Sequence, residues 1–153
     1  MGITIDIGNN IALAEDPYEV VEALAPWAVS THIKDMAVVE SSDGFLLSEV
    51  PLGDGFLDLP RIIRTLRAAN PRLHWNLEMI TRDPLKVPCL TDKYWATMPS
   101  ASAVRLARTL ASVRKNQCPK ALPTISALTL EETLAKEDDN VRACLRDAAR
   151  FGI

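Results

Sequence analysis

The chain has 153 residues, of which 48% are hydrophobic and 24% are charged. These proportions are typical of one globular unit with a buried core rather than of a disordered, fibrous or membrane-spanning chain. The formal net charge is −3 at pH 7, and the basic residues are interspersed with acidic ones. This pattern argues against nucleic acid and membrane surfaces as partners, so a small molecule is the expected ligand.

The cysteines and the N-terminus indicate a cytoplasmic location. Cys89, Cys118 and Cys144 have no Cys-x-x-Cys spacing, so neither a disulfide framework nor a thiolate zinc site is predicted, and a reducing compartment is expected. The first residues lack the basic region and the long apolar run of a secretory signal. They are typical of a strand instead.

A strand and a helix are predicted at the start of the chain. Residues 2–7 alternate and are rich in isoleucine, and a Gly-Asn-Asn turn follows at 8–10, which is typical of a strand that ends in a loop. Asp16 is a good N-cap for a helix, and Pro17 suits the first helical position. This helix is expected to end at Pro26.

A second strand and a long loop come next. Residues 28–34 predict the strand. Residues 35–58 contain Asp-Gly at 43–44 and Gly-Asp-Gly at 53–55, and they are predicted to form a loop. Loops of this length in compact domains are usually functional.

A second helix and a third strand follow the loop. The helix is predicted from near Asp58 to just before Asn70, because apolar residues recur there at helical spacing: Leu59, Ile62, Ile63 and Leu66. Residues 72–79 predict the strand. Strands that alternate with helices in this way predict a parallel sheet.

The remaining third of the chain predicts helices without an evident chemical motif. One helix is expected over residues 101–114. Two further helices are expected after it. Thr129 and Glu132 form a capping box at the start of the first, and Val141 and Leu145 supply the apolar face of the second.

Each predicted strand has one polar face, whereas a parallel strand covered by helices is usually apolar on both faces. The polar residues are Thr4 and Asp6, then Ser30, His32 and Lys34, then His74, Asn76 and Glu78. Parallel sheets bind ligands at the carboxyl ends of their strands, where Asp6, His32 and Glu78 are expected to lie together. Two carboxylates and an imidazole form a metal site. Oxygen ligands favour Mn²⁺ or Mg²⁺, and the nitrogen also admits Co²⁺ or Zn²⁺.

Each of these residues has an alternative structural interpretation. Asp6 could cap the turn that follows it, and His32 could be a hydrogen-bonded core histidine. Glu78 could pair with Arg82 or Lys34. The agreement of all three in strand position favours the metal site.

Several short motifs in order resemble the xylose isomerase-like superfamily of barrel enzymes. They are Asp-Ile-Gly-Asn at 6–9, His-Ile-Lys-Asp at 32–35, Pro-Leu-Gly-Asp-Gly at 51–55 with Asp58 after it, and Leu-Glu at 77–78. The resemblance covers residues 1–84. The superfamily includes sugar phosphate isomerases and epimerases, inosose dehydratases and apurinic endonucleases.

The resemblance implies an α/β fold that is the C-terminal portion of a (β/α)8 TIM barrel. Residues 1–98 would form three parallel strands with their helices, and residues 99–153 would form a helical C-terminal extension. Because a whole barrel needs more strands, the chain is expected to form a homo-oligomer or to pair with a complementing N-terminal half.

The same resemblance implies that Asp6, His32 and Glu78 are three of four metal ligands. The fourth, a glutamate on an earlier strand, is missing from this sequence. Glu78 would also be a catalytic acid/base, while Asn9 and Lys34 would bind oxygens of a carbohydrate substrate. For Lys34, an ion pair with Asp35 is the competing interpretation.

The implied function is a divalent-metal-dependent isomerase or epimerase of a sugar or sugar phosphate. It would abstract a proton next to a carbonyl and form an enediolate. A dehydratase of the same superfamily and a non-catalytic partial barrel are the alternatives. The endonuclease branch is disfavoured, because Asn9 stands where it has a histidine, and Leu47 and Glu49 stand where it has an Asp-x-His pair.

Overall fold

The computed structural model describes residues 1–98 and 100–153. Strands β1 to β6 span Ile3–Asp6, Ala28–Ile33, Asp35–Ser41, Gly44–Val50, His74–Leu77 and Leu85–Val87. Helices α1 to α5 span Pro17–Leu24, Leu59–Ala69, Asp92–Trp95, Ala103–Lys115 and Leu130–Phe151. Short 3-10 turns occupy Asn9–Leu13 and Ala25–Trp27.

The three predicted strands form a parallel sheet in the order β1-β2-β5, as expected. Asp6 pairs in register with His32, and His32 pairs with Asn76 on the other side. Because these residues pair directly across the sheet, the carboxyl ends of the three strands lie side by side. The polar face of the sheet is at least partly open to solvent, whereas Ile5, Ile7 and Ile33 on the other face are buried.

The predicted loop at 35–58 is wrong over most of its length. Its first part is a hairpin in which β3 and β4 pair antiparallel from Asp35↔Val50 to Ser41↔Gly44. β6 adds to the far side of β4, which gives a second sheet in the order β3-β4-β6. The chain is therefore a small α/β domain with one parallel and one antiparallel three-stranded sheet. The expectation of a parallel barrel portion is wrong, because half of the strands are antiparallel.

The physical reason for the hairpin is a tight turn between two apolar strands. Ser42 and Asp43 connect the strands, and Gly44 follows with φ of +149°, which a glycine adopts without strain. The strands then bury a shared set of side chains: Val38, Phe45 and Leu47. This burial outweighs the polar, turn-like composition at the tip.

The first two helices begin as predicted. The side chain of Asp16 accepts hydrogen bonds from the backbone N–H groups of Tyr18 and Glu19 at the start of α1. Asp58 accepts from the N–H of Arg61 at the start of α2. The apolar face of α2 is buried in the core, as its spacing predicts.

The C-terminal helices pack onto the two sheets, with α4 on β3 and α5 on β5. The capping box of Thr129 and Glu132 is present. The prediction of two helices after it is wrong, because α5 is continuous; it contains no glycine or proline between its ends. The division at residues 98 and 99 stays a prediction, and Pro99 lies outside the described residues.

No helix within residues 1–98 and 100–153 is both long enough and apolar enough to span a bilayer.

A buried carboxylate holds the loop between β4 and α2. Oδ1 of Asp35 accepts from the backbone N–H groups of Met36 and Leu57, and Oδ2 accepts from those of Gly53 and Gly55, at 2.8–3.2 Å. Burial raises the pKa of Asp35, although the four donors lower it. The Gly-Asp-Gly segment is thus a turn wrapped around one side chain.

Gly55→Ala should destabilise the fold more than Gly53→Ala. A Cβ on Gly55 would lie 2.1 Å from Oδ1 of Asp35 and 2.5 Å from the carbonyl oxygen of Met36, so we expect a loss of about 3 kcal/mol. Gly53 has φ of +88° but open space around it, so we expect about 1 kcal/mol. Urea unfolding of both variants measures the difference, and equal losses would contradict the described role of Asp35.

We also predict self-association through the free edge of β1. Among the described residues β1 pairs only with β2, and the side chain of Thr4 within β1 is exposed. Unpaired strand edges are templates for pairing with another chain. Light scattering should show a mass above the 16.8 kDa of one chain, reduced by Thr4→Lys on β1 but not by Val104→Lys on α4. A monomer at all concentrations would count against this prediction.

Candidate metal centre

The parallel sheet brings Asp6, His32 and Glu78 together. Asp6 is the last residue of β1, His32 lies in β2, and Glu78 is the first residue after β5. Backbone hydrogen bonds fix all three positions: the N–H of Glu78 donates to the carbonyl of Ile33 at 3.0 Å, and the N–H of Ile7 donates to that of His32 at 3.1 Å. The expected meeting of the three side chains at one edge is therefore observed.

The three side chains are close enough to share one ion. Nδ1 of His32 lies 3.2 Å from Oε2 of Glu78 and 3.8 Å from Oδ2 of Asp6. One ligand atom from each residue can be chosen so that all lie within 4.8 Å of one another. The side chains of Asp6, His32 and Glu78 are 35%, 45% and 24% exposed. An ion could therefore enter from solvent without opening the core.

Lys34 lies at the centre of this cluster, and its side chain is only 1% exposed. Its Nζ lies 2.8 Å from Oδ1 of Asp6 and 2.8 Å from Oε2 of Glu78. It also donates a hydrogen bond to Oδ1 of Asn9 at 3.2 Å. The two predicted substrate-binding residues, Asn9 and Lys34, thus contact each other beside the cluster. The alternative pairing of Lys34 with Asp35 is absent among the described residues, because Asp35 faces the loop instead.

The donor set fits a cation. Oδ1 of Asp6 and Oε2 of Glu78 are buried, and the positive charge that faces both is the Lys34 ammonium, 2.8 Å from each. Buried carboxylate oxygens are normally satisfied by a donor or a cation. Two such oxygens beside an imidazole are a suitable set for a divalent ion.

The carboxylates around Lys34 stabilise its positive charge. Burial lowers the pKa of the Lys34 ammonium, but the carboxylates of Asp6, Glu78 and Glu49 together outweigh burial and raise it above its ordinary value. Lys34 therefore stays protonated over the whole physiological range. It is a fixed positive charge and hydrogen-bond donor.

Glu49 is the residue of this region that the sequence analysis missed. Its side chain is 1% exposed, and Oε1 lies 3.8 Å from Nζ of Lys34 and 3.3 Å from the guanidinium of Arg82. Its other oxygen accepts a hydrogen bond from the backbone N–H of Ile80 at 2.8 Å. An ionisable residue within the apolar run of β4 was the available signal. Because this segment was interpreted as a loop, an acidic residue within it did not indicate a buried side chain.

A cavity of about 420 Å³ lies elsewhere, between α1 and α4. It is lined by residues such as Glu15, Val20, Arg105 and Thr109, and none of the metal-centre residues takes part. Arg105 is already engaged there with the carbonyl oxygen of Ala14. The cavity and the candidate metal centre are therefore separate features of the described residues.

Lys34 should make stability depend on pH at the alkaline end. Because its pKa is raised in the folded state, its contribution is fully present below about pH 10.5 and is lost as pH rises through the folded pKa. Lys34→Met leaves buried carboxylates without their cation, so we expect a loss of about 3–5 kcal/mol at pH 7. In urea unfolding, the difference from the wild type should stay constant up to pH 10 and shrink above it.

Lys86→Met is the matched control, since Lys86 is exposed on β6. Its difference from the wild type should be small at every pH. If Lys34→Met behaved in the same way, the ammonium would not hold the cluster together.

Comparisons with known proteins give one local similarity. No family model matches the chain, and no solved structure matches it. The chain is 41% identical over 69 residues to a protein named 3-oxo-isoapionate decarboxylase from Pectobacterium atrosepticum. The match covers 44% of this chain and 25% of the relative, so the chain matches about a quarter of that protein's length.

Proposed function

We propose that this chain carries the metal-binding part of an enzyme that forms an enediolate from a carbohydrate substrate. The observation that supports this most strongly is the convergence of Asp6, His32 and Glu78, each of which offers a ligand atom within 4.8 Å of the others. The ordered motifs that resemble the xylose isomerase-like superfamily agree with it. So does the local similarity to a protein whose name describes an enzyme.

Asp6, His32 and Glu78 would hold the ion, with Mn²⁺ or Mg²⁺ favoured and Co²⁺ or Zn²⁺ admissible. A bound divalent ion supplies Lewis acidity, which stabilises negative charge on a substrate oxygen. No further carboxylate joins these two carboxylates and the imidazole among the described residues. We propose that substrate, water, a second copy or a complementing chain fills the remaining positions.

The first candidate reaction is isomerisation or epimerisation. Glu78 would take the proton from the carbon next to the carbonyl, and the electron pair would move to the carbonyl oxygen to give an enediolate. In isomerisation Glu78 would return the proton to the former carbonyl carbon, while the hydroxyl proton of the neighbouring carbon passes to the former carbonyl oxygen. In epimerisation a second acid on the opposite face, supplied by a complementing chain, would protonate the same carbon. Lys34 and Asn9 would hold the substrate oxygens, since the Lys34 ammonium is fixed 3.2 Å from the Asn9 side chain.

The second candidate reaction is decarboxylation of a 3-oxo sugar acid, which the name of the relative favours. Here the bond to the carboxylate would break, CO₂ would leave, and the electron pair would move onto the 3-oxo oxygen. A proton would then add to the carbon. The same cluster would serve, but Glu78 would donate a proton instead of removing one, and no second acid/base would be needed on the opposite face.

Titration calorimetry with Mn²⁺ tests the site. We expect saturable binding to the wild type and binding at least about 100-fold weaker in His32→Ala and Glu78→Gln, because each removes a ligand. His74→Ala is the matched control: His74 is the other histidine of the chain and begins β5 on the same sheet. It should bind like the wild type.

The two reactions are then separated by product. Ketoses that turn into their epimers or isomers support the first, and CO₂ release from a 3-oxo sugar acid supports the second. Absence of Mn²⁺ binding in a folded wild-type chain would refute the proposed metal centre for either reaction.

A further inference from the structure

Glu49 is buried in a place where an apolar residue would be expected. It lies in β4 between Ser48 and Val50, which are also buried, and its own side chain is 1% exposed. A buried carboxylate is unfavourable unless donors and positive charges surround it. The partners of Glu49 therefore indicate the role of its carboxylate.

One oxygen of Glu49 anchors the backbone just beyond Glu78. The last ladder hydrogen bond of this segment runs from the N–H of Glu78 to the carbonyl of Ile33, and the chain then leaves the sheet. Two residues later the N–H of Ile80 donates to Oε2 of Glu49 at 2.8 Å. Glu78 is therefore held between two fixed points, of which the second is a side chain from the antiparallel sheet.

The other oxygen of Glu49 faces the positive charges of the metal centre. Oε1 lies 3.8 Å from Nζ of Lys34 and 3.3 Å from the guanidinium of Arg82. Lys34 in turn contacts Asp6 and Glu78. Glu49 thus faces Lys34 as a third carboxylate and offsets part of its charge.

We infer that Glu49 is a positioning residue for the metal centre, an inference that rests on the proposed function. It sets the position of Glu78 through the backbone of Ile80, and it balances Lys34 so that a divalent ion can bind beside the ammonium. Among the described residues, every partner of its side chain belongs to the cluster or to the segment that follows Glu78. A residue needed only for packing in β4 would not require them.

Two variants separate the hydrogen bond from the charge. Glu49→Gln keeps an oxygen that can accept from Ile80 but loses the charge beside Lys34, whereas Glu49→Leu loses both. We expect the dissociation constant for Mn²⁺ to rise about 10- to 100-fold in Glu49→Leu and less than about 10-fold in Glu49→Gln. Glu40→Gln on β3, which removes an ion pair with Arg114 of α4, should bind like the wild type.

Hydrogen exchange of the Ile80 amide tests the anchor without metal. Its protection should fall in Glu49→Leu and persist in Glu49→Gln and Glu40→Gln, with urea midpoints measured to correct for overall stability. Wild-type Mn²⁺ affinity in a folded Glu49→Leu would overturn the positioning role while leaving the metal centre intact. Absence of binding in the wild type would refute the proposed function instead, and unchanged Ile80 protection in Glu49→Leu would overturn the anchor in either case.

Discussion

The ammonium group of Lys34 connects the ends of β1 and β5, which each pair with β2 but not with each other. It lies in the segment between β2 and β3 and contacts Asp6 at the end of β1 and Glu78 just after β5. Without this charge, carboxylates would crowd together at a partly buried edge, where like charges repel strongly. The arrangement of the metal centre therefore depends on one buried lysine, and burial keeps the ion pairs short because little water screens them. The sheet and Lys34 together hold Asp6 and Glu78 in this arrangement.

The antiparallel hairpin supports this edge with two acidic residues that have different roles. Asp35, at its start, accepts four backbone hydrogen bonds and holds the loop that leads into α2. Glu49, near its end, faces Lys34 and the backbone beyond Glu78. Asp35 pairs in register with Val50 and Met36 pairs with Glu49, so neighbouring rungs of one ladder carry both carboxylates. The hairpin thus links the rigid parallel sheet to the two irregular segments that surround the site.

Local patterns in the sequence were sufficient for the parallel sheet and for the three clustered residues. Alternation shows which side chains share a face, and the carboxyl ends of parallel strands must meet, so the proximity of Asp6, His32 and Glu78 follows from spacing alone. The hairpin was missed because its turn residues look like loop residues, and only burial of Val38 and Phe45 in three dimensions identifies the flanking segments as strands. The role of Glu49 was missed for the same reason. Its partners, Lys34, Ile80 and Arg82, are distant in sequence, and no periodicity predicts such contacts.

The two ligand carboxylates are not equivalent toward an incoming cation. Asp6 contacts Lys34 through Oδ1 and faces His32 with Oδ2, so it can keep its ion pair and still offer an oxygen on the His32 side. Glu78 uses Oε2 for both Lys34 and His32. A divalent ion at that oxygen would compete with the ammonium, and Glu78 must either share Oε2 or turn to present its other oxygen. The position of Glu78 would therefore determine whether an ion and the ammonium can share this edge, and displacement of the segment from Glu78 to Ile80 would weaken the proposed binding the most. A buried acceptor that fixes the Ile80 backbone is placed where it limits that error.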